Sequence, residues 1–239
     1  MNFKDNYIDQ YYKNFFDRLC NSGFNGSGSK YFHKLIERFW TGYQNLTILE
    51  VGIGDGEHLK YLSNSTIDNL LEFTSVDIRK KSVNFENRLL ELVSAHNSNI
   101  NIFHYVEGSV ENLPLETEYF NRIISTCLFH HINEPLQGFR ELRRVLKVGG
   151  ELAIGLPTDP GFFNRMVKKL ITFPKAKKIG IMNPEFLYAM EHQNHISGLI
   201  EIAKEVFSKD DLKILYRPFP IKSWNFNLVV VLYVKKVND

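Results

Sequence analysis

The sequence predicts an α/β protein: a seven-stranded, mostly parallel sheet with helices on both faces and an antiparallel C-terminal hairpin. First, apolar runs alternate with amphipathic stretches between Leu46 and Gly155, an alternation typical of parallel strands joined by right-handed crossovers. Second, three glycines in Gly52–Gly56 close the first apolar run. Third, the short connection Pro218–Phe226 joins the last two apolar runs, which makes them antiparallel neighbours.

The elements follow from these patterns in chain order. Seven apolar runs are predicted to be strands: Leu46–Val51, Phe73–Val76, Ile100–Val106, Asn121–Ser125, Glu151–Gly155, Leu212–Arg217 and Asn227–Lys235. Helices are predicted at Glu57–Asn64, Lys80–His96, Glu134–Leu146 and Leu199–Phe207. In the predicted helix Lys80–His96, the inward side chains are predicted to be Val83, Leu89, Leu90 and Val93. Gly149-Gly150 is predicted to end the helix Glu134–Leu146 with a left-handed cap.

Residues 1–239 are predicted to form one domain with four parts. Residues 1–42 are expected to be an N-terminal helical cap, with aromatic residues between Tyr7 and Phe16 on one helical face. A flexible break at Asn25–Ser29 should precede a second helix at Lys30–Trp40. Residues 46–156 form the core. Residues 157–198, too long for a simple connection, form a lid, and residues 199–239 add a helix and a strand pair.

Composition excludes several classes of protein. The chain has 239 residues and a net charge of +2, so nothing global favours nucleic acid as a partner. Two cysteines, Cys20 and Cys127, make neither a disulfide framework nor a zinc site and indicate a reducing compartment. The polar N-terminus lacks a signal core, and the longest apolar run, Leu228–Val234, is too short to span a membrane. We therefore expect a cytoplasmic protein; the oligomeric state stays open.

The glycine turn indicates the class of ligand. Gly52 and Gly54 allow a ligand to approach bare backbone at the end of a buried strand. The dinucleotide fingerprint G-x-G-x-x-G would place its third glycine at Glu57, whereas the chain has Gly56 one residue earlier. Carboxylates on both sides of the turn would repel a pyrophosphate. A cofactor with a cationic part fits better, and a nicotinamide-dependent dehydrogenase is disfavoured.

Four motifs resemble those of the class I S-adenosylmethionine-dependent methyltransferases, of the type 11 kind. They are Glu50–Gly56 with Asp77, Gly108–Pro114, Phe120–Ile132 and Glu141–Gly150, in the family's order across about Leu46–Leu156. The resemblance implies a Rossmann-like fold, S-adenosylmethionine as cofactor and methyl transfer as activity. Two positions depart from the pattern: Ser109 stands where the family often has Asp, and Val148 where it usually has Pro.

The resemblance also implies roles for individual residues in holding the cofactor. Gly52, Gly54 and Gly56 should meet its methionine end, and Glu50 should favour the ammonium group. The carboxylate of Asp77 should accept hydrogen bonds from the ribose hydroxyls, although it could instead cap a helix beginning at Arg79. The remaining candidates are Ile78 and Val110 around the adenine, Ser109 near its amino group and the backbone of Cys127 beside the methionine.

The acceptor is expected at the carboxyl ends of the strands, beneath the lid. The polar segment Glu191–His195 supplies His192 and His195 as candidate bases, and His131 follows the fourth strand. The alternative is a solvated helix start capped by Asn194, with His131 packed or capping. No metal is assigned, because the two lid histidines lack a clear third ligand nearby.

A second resemblance, to methyltransferases encoded for surface-polysaccharide synthesis, rests on Glu191–His195, Phe207, Pro218-Phe219 and Ser223–Asn227. It implies O-methylation of a small-molecule acceptor such as a sugar, with Phe219 and Trp224 stacking on it or simply packing in the core. The lysine-rich stretch Lys168–Lys178 should be a solvated face or a contact for substrate phosphate. Two alternatives remain: a quinone-like or lipid-pathway acceptor, and a non-catalytic cofactor-binding protein. Tyr7, Tyr11 and Tyr12 should pack within the cap or close over the cofactor.

Overall fold

The structure, a computed structural model, describes residues 23–38, 40, 42, 44–96 and 99–237. The predicted aromatic face between Tyr7 and Phe16 therefore lies outside the described residues. The strands are β1 Leu46–Val51, β2 Leu70–Asp77, β3 Phe103–Glu107, β4 Phe120–Thr126, β5 Leu146–Pro157, β6 Asp211–Arg217 and β7 Val229–Lys235. The helices are α1 Gly23–Glu37, α2 Asn64–Asp68, α3 Val83–His96, α4 Pro135–Val145, α5 Phe162–Val167, α6 Phe173–Lys178, α7 Pro184–Glu191 and α8 Ile196–Val206.

The seven strands form one sheet in the order β3-β2-β1-β4-β5-β7-β6. The pairs among β1 to β5 are parallel, and β7 runs antiparallel to both β5 and β6. This confirms the predicted fold class. The chain crosses from β3 at one edge back to β4 beside β1, so the strand order reverses between β1 and β4. In open α/β sheets, ligands bind at the carboxyl ends of the strands next to such a reversal.

Side-chain alternation along the strands divides the core into two layers. In β1, Leu46 and Ile48 face the layer built with α1 and α3, whereas Leu49 and Val51 face the layer built with α4 and α8. All six residues of β1 are buried. A strand buried on both faces is typical of a parallel sheet sandwiched between helices.

Several predicted boundaries are wrong in instructive ways. The break predicted at Asn25–Ser29 lies inside α1, which begins at Gly23. The helix predicted at Glu57–Asn64 is a 3₁₀ segment, Glu57–Tyr61, followed by the separate short helix α2. The side chain of Ser63 accepts a hydrogen bond from the Thr66 amide and starts that second helix.

Two further expectations about helices are also wrong. In α3, Val83 is 70% exposed and Leu90 is 52% exposed, and the buried side chains are Phe85, Leu89 and Leu92. Helix α3 begins at Val83 rather than Lys80. The side of the helix that faces the core contains Phe85 in place of the predicted Val83. Gly149 does adopt φ +78°, but it lies within β5, which begins directly after α4, and does not cap that helix.

Close approach of α1 to the sheet requires a glycine in β5. A Cβ added at Gly155 would overlap the ring of Phe32, which is itself buried. The bare backbone at Gly155 thus seats α1 on the centre of the sheet.

The segment between β5 and α8 folds over the carboxyl ends of the strands. It contains α5, one turn of π-helix at Lys168–Thr172, α6 and α7. The last residues of this segment are hydrogen-bonded to the loop that follows β4. The backbone amides of Gln193 and Asn194 donate to the carbonyl of His130 at 2.9 and 3.2 Å. None of the helices in the described part of the chain has the length and apolar character needed to cross a bilayer.

Candidate active site

The turn after β1 is held open by three glycines in the left-handed region. Gly52, Gly54 and Gly56 have φ of +72°, +55° and +73°, a conformation that glycine adopts without steric cost. The side chain of Leu128, just after β4, lies 3.1 Å from where a Cβ on Gly52 would be. A side chain at any of these three glycine positions would be strained. Gly52 and Gly54 are partly exposed and can meet a ligand, whereas Gly56 is buried against Phe85.

Asp77 ties this turn to the end of β2. Its Oδ2 accepts a hydrogen bond from the Gly54 amide at 2.9 Å, and its Oδ1 accepts from the Arg79 amide at 2.9 Å. The Arg79 guanidinium also pairs with it, Nε to Oδ1 at 3.2 Å. Helix α3 begins only at Val83, so Asp77 does not cap it. Asp77 is held where a carboxylate that grips a ribose is expected, beside the glycine turn.

Glu50 lies under the turn in a buried polar cluster on the α1 side of the sheet. Its Oε2 has no hydrogen-bond partner among the described residues, and burial raises the pKa of its carboxyl to about 7. Nearby, His58 shares hydrogen bonds with His33 at 2.9 Å and Glu37 at 3.1 Å. Burial lowers the pKa of His58, but Glu50 and Glu37 outweigh it and the pKa is raised overall.

The other predicted cofactor contacts differ in their exposure to solvent and in the hydrogen bonds that they already make. Ile78 is 72% exposed and free to cover a ring, whereas Val110 is buried in the core. The hydroxyl of Ser109 is engaged within its own turn, where it donates to Glu111 Oε2 at 3.0 Å and accepts from the Glu111 amide at 3.1 Å. Cys127 adopts φ +52° with an exposed side chain, and its amide donates to the carbonyl of Gly155 at 2.9 Å.

A second set of polar side chains surrounds Asp159, just after β5. Nδ1 of His192 lies 3.0 Å from its Oδ2. Lys168 pairs with its Oδ1, and the hydroxyl of Tyr188 bonds both Asp159 and Lys168. Burial raises the pKa of Asp159, but the contacts of His192 and Lys168 hold it below its usual range. Burial also lowers the pKa of the Lys168 ammonium to about 8.

His130 and His131, from the exit of β4, join His192 from the lid. The ring centroids of His130 lie 3.9 Å from His131 and 4.2 Å from His192. His131 Nδ1 lies 2.8 Å from the carbonyl oxygen of Glu191. Burial lowers the pKa of all three imidazoles: His192 to about 4, His130 well below its usual range, and His131 in the same direction. The three rings are therefore neutral near pH 7.

Of the three candidate bases, the structure brings His131 and His192 together and leaves His195 apart. His195 is exposed at the start of α8 and its side chain makes no capping hydrogen bond. The alternative in which Asn194 caps this helix is wrong, because its side-chain amide donates to the carbonyls of Phe129 at 3.0 Å and Ile132 at 2.6 Å.

The sequence analysis does not predict that Asp159, Lys168 and Tyr188 contact one another in this cluster. Lys168 was grouped with a solvated basic stretch, and that expectation is wrong for it, because it is only 8% exposed. The sequence gives no sign of this burial, and the π-helical turn at Lys168–Thr172, a feature that often marks a functional position, is seen only in the structure. Among the aromatic candidates, Phe219 is 42% exposed, whereas Trp224 packs partly against the core.

Comparison with known proteins agrees with this geometry. Residues 49–154 match the family model of the methyltransferase domain. A 2-methyl-6-phytyl-1,4-hydroquinone methyltransferase of Arabidopsis thaliana is 40% identical over 75 residues, 30% of this chain and 22% of that protein. An uncharacterized methyltransferase of Bacillus subtilis, YdaC, is 24% identical over 108 residues, 45% of this chain and 54% of that protein. The chain thus spans about a fifth to a half of these relatives' lengths.

The fold also matches solved structures. An S-adenosylmethionine-dependent methyltransferase of Mesorhizobium loti superposes with a TM-score of 0.57, covering 90% of this chain and all of that one at 10% identity. Identity this low shows the fold alone. The matched model, the strand order and the glycine turn joined to Asp77 together show that residues 49–154 form a domain of the methyltransferase family with the Rossmann-like fold.

Proposed function

We propose that this protein transfers the methyl group of S-adenosylmethionine to a hydroxyl of a small polar acceptor, of the sugar or glycan-precursor type. The observation that carries the proposal is the polar cluster at the exits of β4 and β5. That cluster gathers Asp159, Lys168, Tyr188 and His192 with the imidazoles of His130 and His131. Such a lining offers both donors and acceptors, which suits an acceptor rich in hydroxyl groups.

The cluster is well placed relative to the proposed cofactor site. Leu128 lies against Gly52 in the glycine turn, and His130 follows it by two residues. The strands β1 and β4 that carry these residues are direct neighbours. An acceptor beneath the lid would therefore lie beside a cofactor seated on the turn.

Cofactor binding would use the residues at the ends of β1, β2 and β3. The partly exposed backbone of Gly52 and Gly54 fits a ligand that approaches closely, with Gly56 supporting the turn from beneath. The Asp77 oxygens can accept hydrogen bonds beyond those they already make. Glu50 would favour the ammonium group from beneath, and Ile78 would cover the adenine. Ser109, Val110 and the backbone of Cys127 stay proposed contacts at the same edge. Bound S-adenosylmethionine supplies an electrophilic methyl group on a sulfonium.

The chain's own residues would position the acceptor oxygen and assist the loss of its proton. The leaving group is a neutral thioether, so orientation supplies most of the acceleration, and effective molarity can contribute about 7–11 kcal/mol. An alcohol oxygen also has to lose its proton. His131 and His192 are the imidazoles that we place at this hydroxyl, and the exposed position of His195 makes it the weaker candidate.

A hydroquinone-type or lipid-pathway acceptor is the second candidate. The name of the Arabidopsis relative favours it, as do exposed apolar side chains on the lid, including Leu170 at 67% and Met182 at 89%. The polar lining around Asp159 weighs against a purely apolar acceptor. A protein that binds the cofactor without transferring methyl is the third reading.

A single assay separates these readings. The protein is incubated with methyl-labelled S-adenosylmethionine and either free and nucleotide-linked sugars or a prenylated hydroquinone in detergent. We expect label in the sugars and loss of transfer in Asp77→Ala, with Asp68→Ala as the exposed control. Label only in the hydroquinone supports the second candidate. Cofactor binding without any transfer supports the third.

A further inference from the structure

Three imidazoles converge beside the proposed acceptor site. His130, His131 and His192 each offer a ring nitrogen, and these nitrogens lie within 4.8 Å of one another. The first two follow β4 and the third ends the lid, so the cluster forms only when the lid is folded against the sheet. In a tetrahedral zinc site the ligand nitrogens lie about 3.3 Å apart. Rotations of the three rings that bring their nitrogens closer by up to about 1.5 Å would therefore form such a site.

The outward nitrogens of two of these rings are already held. Nδ1 of His192 lies 3.0 Å from the Asp159 carboxylate, and Nδ1 of His131 lies 2.8 Å from the carbonyl oxygen of Glu191. Histidines that bind metals usually donate their second N–H to a carboxylate or a backbone carbonyl in this way, which fixes the tautomer and the ring orientation. The Nε2 atoms of His131 and His192 are thereby left as ligands.

His130 provides an independent indication of a ligand. Its ring is 3% exposed, and its Nδ1 has no hydrogen-bond partner among the described residues. Leaving a buried polar atom unpaired is costly in a folded protein.

We propose that His130, His131 and His192 bind a divalent first-row metal ion that prefers nitrogen ligands, such as Zn²⁺, with one coordination position open towards the acceptor. Three histidines with an open fourth position are the ligand set of a catalytic rather than a structural zinc site. Lys168 is a nearby cation that opposes this, but it pairs with Oδ1 of Asp159 while His192 uses Oδ2.

The role of the ion rests on the proposed function, with the metal-bound site taking the place of a free imidazole base: His131 and His192 then act at the acceptor hydroxyl through the ion. An acceptor hydroxyl bound at the open position would lose its proton to solvent, because the metal lowers its pKa. The oxygen would then form a bond to the methyl carbon as the carbon–sulfur bond breaks. The bond's electron pair stays on sulfur as the neutral thioether, and the methyl ether leaves the metal.

Direct metal binding tests the site without any acceptor. Untagged protein treated with a chelator is titrated with Zn²⁺ by calorimetry and with Co²⁺ by visible spectroscopy, and Mg²⁺ serves as the oxygen-preferring control. We expect equimolar Zn²⁺ binding and a tetrahedral Co²⁺ spectrum, both lost in His130→Ala and His192→Ala. His104→Ala, which alters an exposed histidine of β3, should bind like the wild type.

A second variant covers the case in which the ligand variants do not fold. Asp159→Asn keeps all three rings and should weaken Zn²⁺ binding by about 10–100-fold. Absence of Zn²⁺ and Co²⁺ binding by the wild type would overturn the proposal, as would an equal loss in His104→Ala. If the wild type binds the metal but transfers no methyl, the metal site stands and the proposed function fails. If methyl transfer persists without metal binding, the proposed function stands and the metal site fails.

Discussion

Nδ1 of His192 lies 3.0 Å from Oδ2 of Asp159, which joins the last turn of the lid to the end of β5. The same carboxylate contacts Lys168 and Tyr188, so one residue directly after β5 binds three residues further along the lid. The proposed acceptor site therefore depends on contacts between parts of the chain that are far apart in sequence.

The two lid histidines should differ in their effect on turnover. His192→Asn should reduce methyl transfer by on the order of 100-fold or more, because it removes a group placed at the acceptor hydroxyl. His195→Asn should change turnover little, since that side chain is exposed and makes no capping hydrogen bond. Steady-state kinetics and calorimetry with S-adenosylhomocysteine on both variants make the comparison. Equal turnover in the two would remove His192 from the proposed chemistry.

The buried carboxyl of Glu50 should make stability depend on pH. Its folded-state pKa of about 7 lies above the value in the unfolded chain, so the folded state holds an extra proton between these values. The stability linked to that proton is complete below the unfolded pKa and is lost as pH rises through about 7.

Glu50→Gln should therefore gain stability relative to the wild type as pH rises. Urea unfolding of both proteins between about pH 5 and about pH 8 measures this difference. Comparing the two cancels the contribution of His33, whose lowered pKa acts in the opposite direction. The pKa of His58, raised in part by Glu50, falls in the variant and adds to the expected difference in the same direction. A difference in unfolding free energy that does not change with pH would contradict this account.

The contact between α1 and β5 should not tolerate a side chain at Gly155. Gly155→Ala should lower the free energy of unfolding by about 1–3 kcal/mol, because the new methyl would overlap the Phe32 ring. Gly198→Ala is the matched control, since nothing lies within 4 Å of that position in α8. It should stabilise the protein by roughly 0.5–1 kcal/mol. Urea denaturation of both variants tests the opposite signs, and equal effects would argue against the packing of α1.

Features encoded locally were predictable from the sequence. The strand Leu46–Val51, the glycine turn and the position of Asp77 at the end of the second strand each depend on a few neighbouring residues, and all agree with the structure. The antiparallel hairpin was equally predictable from the length of its connection.

Features that depend on distant contacts were not predictable. The burial of Lys168 needs Asp159 and Tyr188 on separate elements, and a run of lysines gives no sign of it. The exposure of Val83 follows from where α3 begins, and the first residues of helices carry weak sequence signals. The grouping of His130, His131 and His192 needs the lid to fold back onto the β4 exit.

The central claim is that the glycine turn and Asp77 form the S-adenosylmethionine site, and calorimetric titration with S-adenosylhomocysteine tests it most directly. The wild type should bind, and Asp77→Ala should weaken binding on the order of 100-fold or more, because each charged hydrogen bond to a ribose hydroxyl contributes about 1.5–3 kcal/mol. Asp68→Ala, at the exposed end of α2, should bind like the wild type. Unchanged affinity in Asp77→Ala, or no binding by the wild type, would contradict the claim.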